Sequence, residues 1–99
     1  MPNDSSSSLR DVVEATLAVT FLGLPDGRDA VVSLLRPELV SLIPRMPTIT
    51  RLDMMGIVTA CARYGALSEL VEAIRFYAAD TAAMARLDVV MAQRQASLG

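Results

Sequence analysis

Residues 51–80 read RLDMMGIVTACARYGALSELVEAIRFYAAD. Leu52, Met55, Val58 and Cys61, with Ala62, recur at the three- and four-residue spacing that puts side chains on one face of an α-helix. Thr48 or Thr50 is placed to cap that helix, which is expected to reach Tyr64. Gly65 follows, and glycine enters the left-handed backbone of a helix stop at little steric cost. A second helix is expected from Ala66 or Leu67 to about Ala79, with Leu67, Leu70, Val71, Ile74 and Tyr77 or Ala78 inward. Asp80 is placed to cap a third. No part of the stretch has a period of two, and no turn dipeptide separates β-branched runs. The reading is all-α.

The same signals extend in both directions. Downstream, Met84, Leu87, Val90 and Met91 mark a helix over about 81–95. Upstream, residues 1–8 (MPNDSSSS) are polar and aperiodic and are expected to form a flexible tail, with Ser7 or Ser8 capping a first helix over 9–22. Leu9, Val12, Val13, Thr16, Leu17 and Thr20 lie on one side of it. Val19, Phe21 and Leu22 spread apolar surface to the others, so this helix is expected to be central. Gly23 and Pro25 end it. Asp26 is expected to cap a helix over 27–35 with Val31, Leu34 and Leu35 inward. Arg36 precedes Pro37 and is biased away from helix, whereas Pro37 suits the first position of a short helix, PELVSLI. Pro44 and Pro47 then bracket an extended connector. The expectation is a compact bundle of five or six helices, with one domain over 9–95, an N-terminal tail over 1–8 and a C-terminal tail over 96–99.

Composition narrows the function. The 99 residues are 53% apolar and 20% charged, with nine Arg, no Lys and eleven Asp+Glu, for a net charge of −2. A mildly acidic chain is poorly suited to nonspecific binding of nucleic acid or anionic membrane. There is no His, which removes Ser-His-Asp and Cys-His catalysis and every His-bearing zinc site. One Cys permits no internal disulfide and no CxxC. Without Trp, stacking platforms are poorly supplied. These features point to binding rather than chemistry. The use of Arg alone for basic residues fits a GC-rich genome.

Residues 12–22 form the longest apolar stretch. It is too short for a bilayer, which needs about 20 apolar residues. It is also interrupted by Glu14 and preceded by Asp4 and Asp11, the wrong charges for a signal peptide. A core helix and a reducing cytoplasmic setting are expected.

Few constellations offer chemistry. Asp26-Gly-Arg-Asp29 has a superficial likeness to a calcium loop, but a Glu is needed eleven residues after the first Asp, where Pro37 stands. Cys61 lies mid-helix on an apolar face without a base, as a core thiol does. Glu69 and Glu72 fit a solvated face, with Glu72 near Arg75 across one turn. Among the six Met, core filling is the ordinary role, and Met46 beside the prolines is the expected exposed exception. Helices four and five have the lengths of a helix-turn-helix, but the second carries two Glu and one Arg, and phosphate would repel it.

The ordered series of pieces resembles the bacterial effector-associated domains, specifically the second family of that name. Leu52, Met55, Val58 and Cys61 stand in the family's first helix pattern. Tyr64-Gly65 matches its turn, and Ala66-Leu67 with Leu70-Val71-Glu72-Ala73-Ile74 matches the helix that follows. Upstream, Arg28-Asp29, Leu35-Arg36-Pro37-Glu38 and Ile43-Pro44-Arg45 correspond to further family elements, for coverage of about 9–92. The resemblance implies a non-enzymatic adaptor of bacterial conflict or immunity systems, often actinobacterial. Such domains are fused to peptidases, NTPases and other effectors and recruit one protein to another by like-with-like contacts. A death-like bundle is implied by analogy. A chain ending at Gly99 with no effector attached is expected to be a standalone adaptor or an excised terminal domain.

The resulting expectation is a docking module that tethers an effector to its sensor or regulator through homotypic or family-restricted contacts. The alternative is a heterotypic regulatory module that takes an unrelated partner helix in a groove. Expected partners are related effector-associated domains, with self-association, and no nucleic acid, membrane, small-molecule substrate, cofactor or metal. Candidate interaction residues are Arg36, Glu38 and Arg45, which flank prolines where side chains should project outward. Asp53, Arg63, Glu72 and Arg75 join them, placed off the apolar stripes of the fourth and fifth helices.

Overall fold

The first helix expected over 9–22 does not form as one helix. The computed structural model describes residues 4–78 and 82–98, and its first helix, α1, spans Asp4–Leu17 and is followed by a 3-10 turn at Thr20–Gly23. The Thr16 hydroxyl donates to the Val13 carbonyl at 2.7 Å. The Val19 amide donates to Thr16, three residues back, at 3.0 Å. The stiff β-branched pair Val19-Thr20 follows. The tightened turn buries Val19 and Leu22 together and leaves Thr20, expected inward, in solvent. At the other end α1 begins five residues before the expected start, so Ser7 and Ser8 lie within the helix rather than capping it.

Helix α2 spans Pro25–Ser33, with Pro25 at its first position and Leu24 as an N-cap that makes no side-chain cap bond. Asp26 therefore lies in the first turn, where its charge suits the helix dipole, and not at the cap. A Cβ on Gly27 would lie 2.0 Å from the Phe21 carbonyl oxygen, so the seat of α2 on the 3-10 turn requires glycine. Val31, Val32 and Leu35 are buried, whereas Leu34, expected inward, is the C-cap residue and is 45% exposed. Helix α3 is a single turn, Pro37–Val40, with Pro37 in the expected place.

Helix α4 spans Thr50–Arg63, in a rotation different from the expected one. Leu52 and Met55 are 49% and 41% exposed. The inward face is Asp53, Met54, Ile57, Val58 and Cys61. Neither Thr48 nor Thr50 caps it; Ile49 is the N-cap and makes no side-chain cap bond. The stop follows the expectation. Gly65 has φ +68°, its amide donates to Ala62 at 3.3 Å, and the Ala66 amide donates to Cys61 at 2.7 Å. These two bonds form the Schellman closure that satisfies the last carbonyls of a helix.

Helix α5, Leu67–Tyr77, buries Leu67, Leu70, Val71, Ala73 and Ile74. Tyr77 is partly exposed and stacks on Phe21, with ring centroids 5.0 Å apart. Helix α6 spans Ala82–Leu98, three residues past the expected end, with Met84 and Leu87 buried and Val90 and Met91 packed beside them. The expected Asp80 cap lies outside the described residues. Helix α1 packs against α6, α4 and the 3-10 turn, and α2 against α3, α4 and α5. The central role expected of the first helix holds. No strand occurs among the described residues, and the architecture is an all-α bundle of six helices.

Candidate docking surface

The inward face of α4 carries a carboxylate, and that carboxylate organises the segment between α3 and α4. Arg28 and Asp53 are both fully buried, and the Arg28 Nε donates to Asp53 at 2.7 Å. The other two nitrogens of Arg28 donate to the Leu22 carbonyl at 2.9 Å and the Pro47 carbonyl at 2.8 Å. Asp53 also accepts from Arg45 at 2.7 and 2.8 Å and from the Met46 amide at 3.0 Å. A further Arg45 bond, 2.8 Å long, reaches Asp29. Two arginines and two aspartates thus balance in charge, and each buried polar atom of Arg28 and Asp53 has a partner, as burial demands. The bonds from Arg45 hold the Asp53 carboxyl far below the ordinary carboxylate range against the opposing effect of burial, and Arg28 and the Met46 amide reinforce them. Asp53 reciprocally raises Arg45.

This network straps the proline connector onto α4. The approach is close: a Cβ on Gly56 would lie 2.7 Å from the Pro44 carbonyl oxygen. With the connector pinned, the outer face of α4 and the end of α3 border two adjoining hollows. One, of about 270 Å³, is lined by Leu42, Pro44, Met55, Gly56, Arg63 and Tyr64, among others. The second, of about 180 Å³, is lined by Arg36, Glu38, Leu39, Leu42 and Tyr64. Leu42 and Tyr64 are shared by both. Leu42, Met55 and Tyr64 are large apolar side chains 51%, 41% and 46% exposed, and Leu52 extends the strip by one turn of α4. The surface is an apolar groove with charged edges, the anatomy of a docking patch.

The seven expected interaction residues divide into three groups. Arg36, Glu38 and Arg63 line the groove. Arg45, in the connector and expected to project outward, turns inward onto Asp53, which lies beneath it. Asp53, expected off the apolar stripe of its helix, is instead wholly internal; a carboxylate beside buried Arg28 is more stable inside than a helix-wheel assignment allows. Glu72 and Arg75 line neither hollow, and Arg75 pairs with Asp88 on α6 at 2.6 Å and with Glu72 at 3.5 Å. Arg36 is also engaged, its backbone amide and Nε donating to Glu69 at 3.0 and 2.9 Å. Glu38 and Arg63 form no ion pair among the described residues. The sequence reading missed Leu42, Met55 and Tyr64 as groove residues, although the exposed i, i+3 pair Leu52-Met55 was a signal open to either face.

The remaining chemical candidates are quiet. Cys61 is buried, and desolvation raises its thiol to about 11, with Glu69 adding to the shift and Arg36 opposing it. Asp29 is committed to Arg45. No group of three His, Cys, Asp or Glu among the described residues could hold a metal, and no described helix is long and apolar enough to cross a membrane.

The family model of effector-associated domain 2 matches residues 13–92. The chain belongs to the effector-associated domain 2 family. The matched span of this effector-associated domain contains the Arg28–Asp53–Arg45 network, the connector and both hollows. No curated protein and no solved structure matches the chain.

Proposed function

We propose that this effector-associated domain is a non-enzymatic adaptor. It tethers an effector to its sensor or regulator through homotypic or family-restricted contacts between helical domains, in the cytoplasm, as part of a bacterial conflict or immunity system. The observation that supports this most is the α3–α4 groove. It exposes Leu42, Met55 and Tyr64 between charged edges, on a frame in which buried Arg28 and Asp53 are spent on structure. An apolar centre supplies affinity and charged edges select the partner and its register. The groove also suits the rival reading, in which an unrelated amphipathic helix lies in it.

The test is affinity capture with the immobilised domain against two sets of purified proteins: related effector-associated domains from the same genome, and the domain itself. Saturable binding to either set that is lost in Met55→Asp supports the proposal. Binding to neither set, together with retention of an unrelated helical partner from the neighbouring genes, would establish the heterotypic reading instead.

A further inference from the structure

We infer that the α3–α4 groove is self-complementary and pairs two copies of this chain face to face about a two-fold axis. This rests on the like-with-like reading above and adds the surface and symmetry of the contact. Of the three charged side chains that line the groove, Arg36 is already satisfied by Glu69. That leaves Glu38 and Arg63, exposed and without an ion pair among the described residues. They carry opposite charges, one in each hollow, and the hollows share Leu42 and Tyr64.

In a two-fold contact, residue i of one copy faces j of the other, and j faces i. A patch with one free anion and one free cation beside a common apolar floor therefore matches itself. Rotation brings each Glu38 to the other copy's Arg63 and lays the two apolar floors together. A partner of one dominant sign would match one of these charges and repel the other. A second copy carries both at the matching spacing.

The expected contact is modest. A typical share of roughly a tenth of a small protein's surface, applied to the 5682 Å² of this domain, puts it at the small end of specific interfaces. Pairing is accordingly expected at roughly micromolar concentrations or above.

The experiment is sedimentation equilibrium of the full chain from about 10 μM to 1 mM at low salt, low enough to limit screening. It compares wild type, Glu38→Arg, Arg63→Glu, the double swap and an equimolar mixture of the two single variants. The inference expects a wild-type dimer, self-association weakened at least about tenfold in each single variant, a 1:1 heterodimer in the mixture, and recovery in the double swap, since attraction replaces repulsion in those last two cases. Circular dichroism checks folding. Should either reversal unfold the chain, Glu38→Gln and Arg63→Gln take its place, each expected to weaken pairing several-fold. A wild type that self-associates but whose swaps have no effect, or whose mixture does not pair, removes this surface and leaves the adaptor reading standing. A wild type monomeric to 1 mM overturns both this inference and the self-association part of that reading.

Discussion

Replacing Asp53 by Ala removes the acceptor of four hydrogen bonds and leaves Arg28 charged, fully buried and without its counter-ion. Arg45 retains Asp29 and is partly exposed, so the penalty falls on Arg28. Breaking a buried pair by removing one partner costs about 3–5 kcal/mol. That is a large share of the roughly 5–15 kcal/mol that holds such a domain folded. At about 4–8 °C per kcal/mol for a domain of this size, Tm should fall by ~12 °C or more. Urea melts followed by far-UV circular dichroism measure the free-energy loss, and thermal melts measure the fall in Tm. The double variant Arg28→Met with Asp53→Leu provides the contrast, because replacing a whole buried pair with apolar groups is often neutral or stabilising by about 1–4 kcal/mol. It should restore part of what Asp53→Ala loses, because the stranded charge is gone while the Leu22 and Pro47 carbonyls and the Met46 amide still lack their partners. The same reasoning fixes the pH dependence. Asp53 titrates lower in the folded chain than its ordinary value of about 3.9. Its contribution is therefore complete above that value and is lost as pH falls below it towards the depressed folded value. A loss under ~1 kcal/mol in Asp53→Ala, below the range for a broken buried pair, would refute the internal role given to this carboxylate.

Leu70 is fully buried on α5, and Leu70→Ala should cost about 2–5 kcal/mol in urea melts. Cys61, with its thiol raised to about 11, should resist a thiol reagent in native buffer at pH 8 and label stoichiometrically in urea; rapid native labelling would contradict its burial. Gly27→Ala would place a Cβ 2.0 Å from the Phe21 carbonyl and should lower Tm far more than Gly23→Ala, whose added Cβ meets nothing within 4 Å.

Legibility varied along the chain for physical reasons. The α4–α5 joint was readable because its cause is local: Gly65 adopts φ +68° and two amides close the turn. The inward stripe of α5 was readable because Leu67, Leu70, Val71 and Ile74 have no polar competitor on that face. The rotation of α4 was not. Leu52-Met55-Val58 and Met54-Ile57-Val58 are equally apolar helical stripes, and the choice between them is made by Arg28, 25 positions before Asp53. Local spacing contains nothing about that pairing. The break after Leu17 was hidden in a similar way, because an apolar run shows hydrophobicity and not the Thr16 back-bond that tightens the turn. Of the candidate surface, Arg36 and Glu38 were legible as charges beside a proline and Arg63 as a charge off the apolar stripe of its helix. Its apolar floor appeared only once the rotation of α4 was known.

The residues between α3 and α4 have no sustained helix of their own, and such a stretch would ordinarily open and close many times without disturbing the rest of a protein. Here it cannot lift away cheaply. Detaching Pro47 and Met46 strips a carbonyl from Arg28 and an amide from Asp53, leaving desolvated charge short of partners. The strap therefore belongs to the same cooperative unit as the core helices. Amide exchange at Met46 should be as slow as at α4 itself, and any partner of the groove that the strap shapes would meet a surface already formed, with little ordering entropy left to lose on contact.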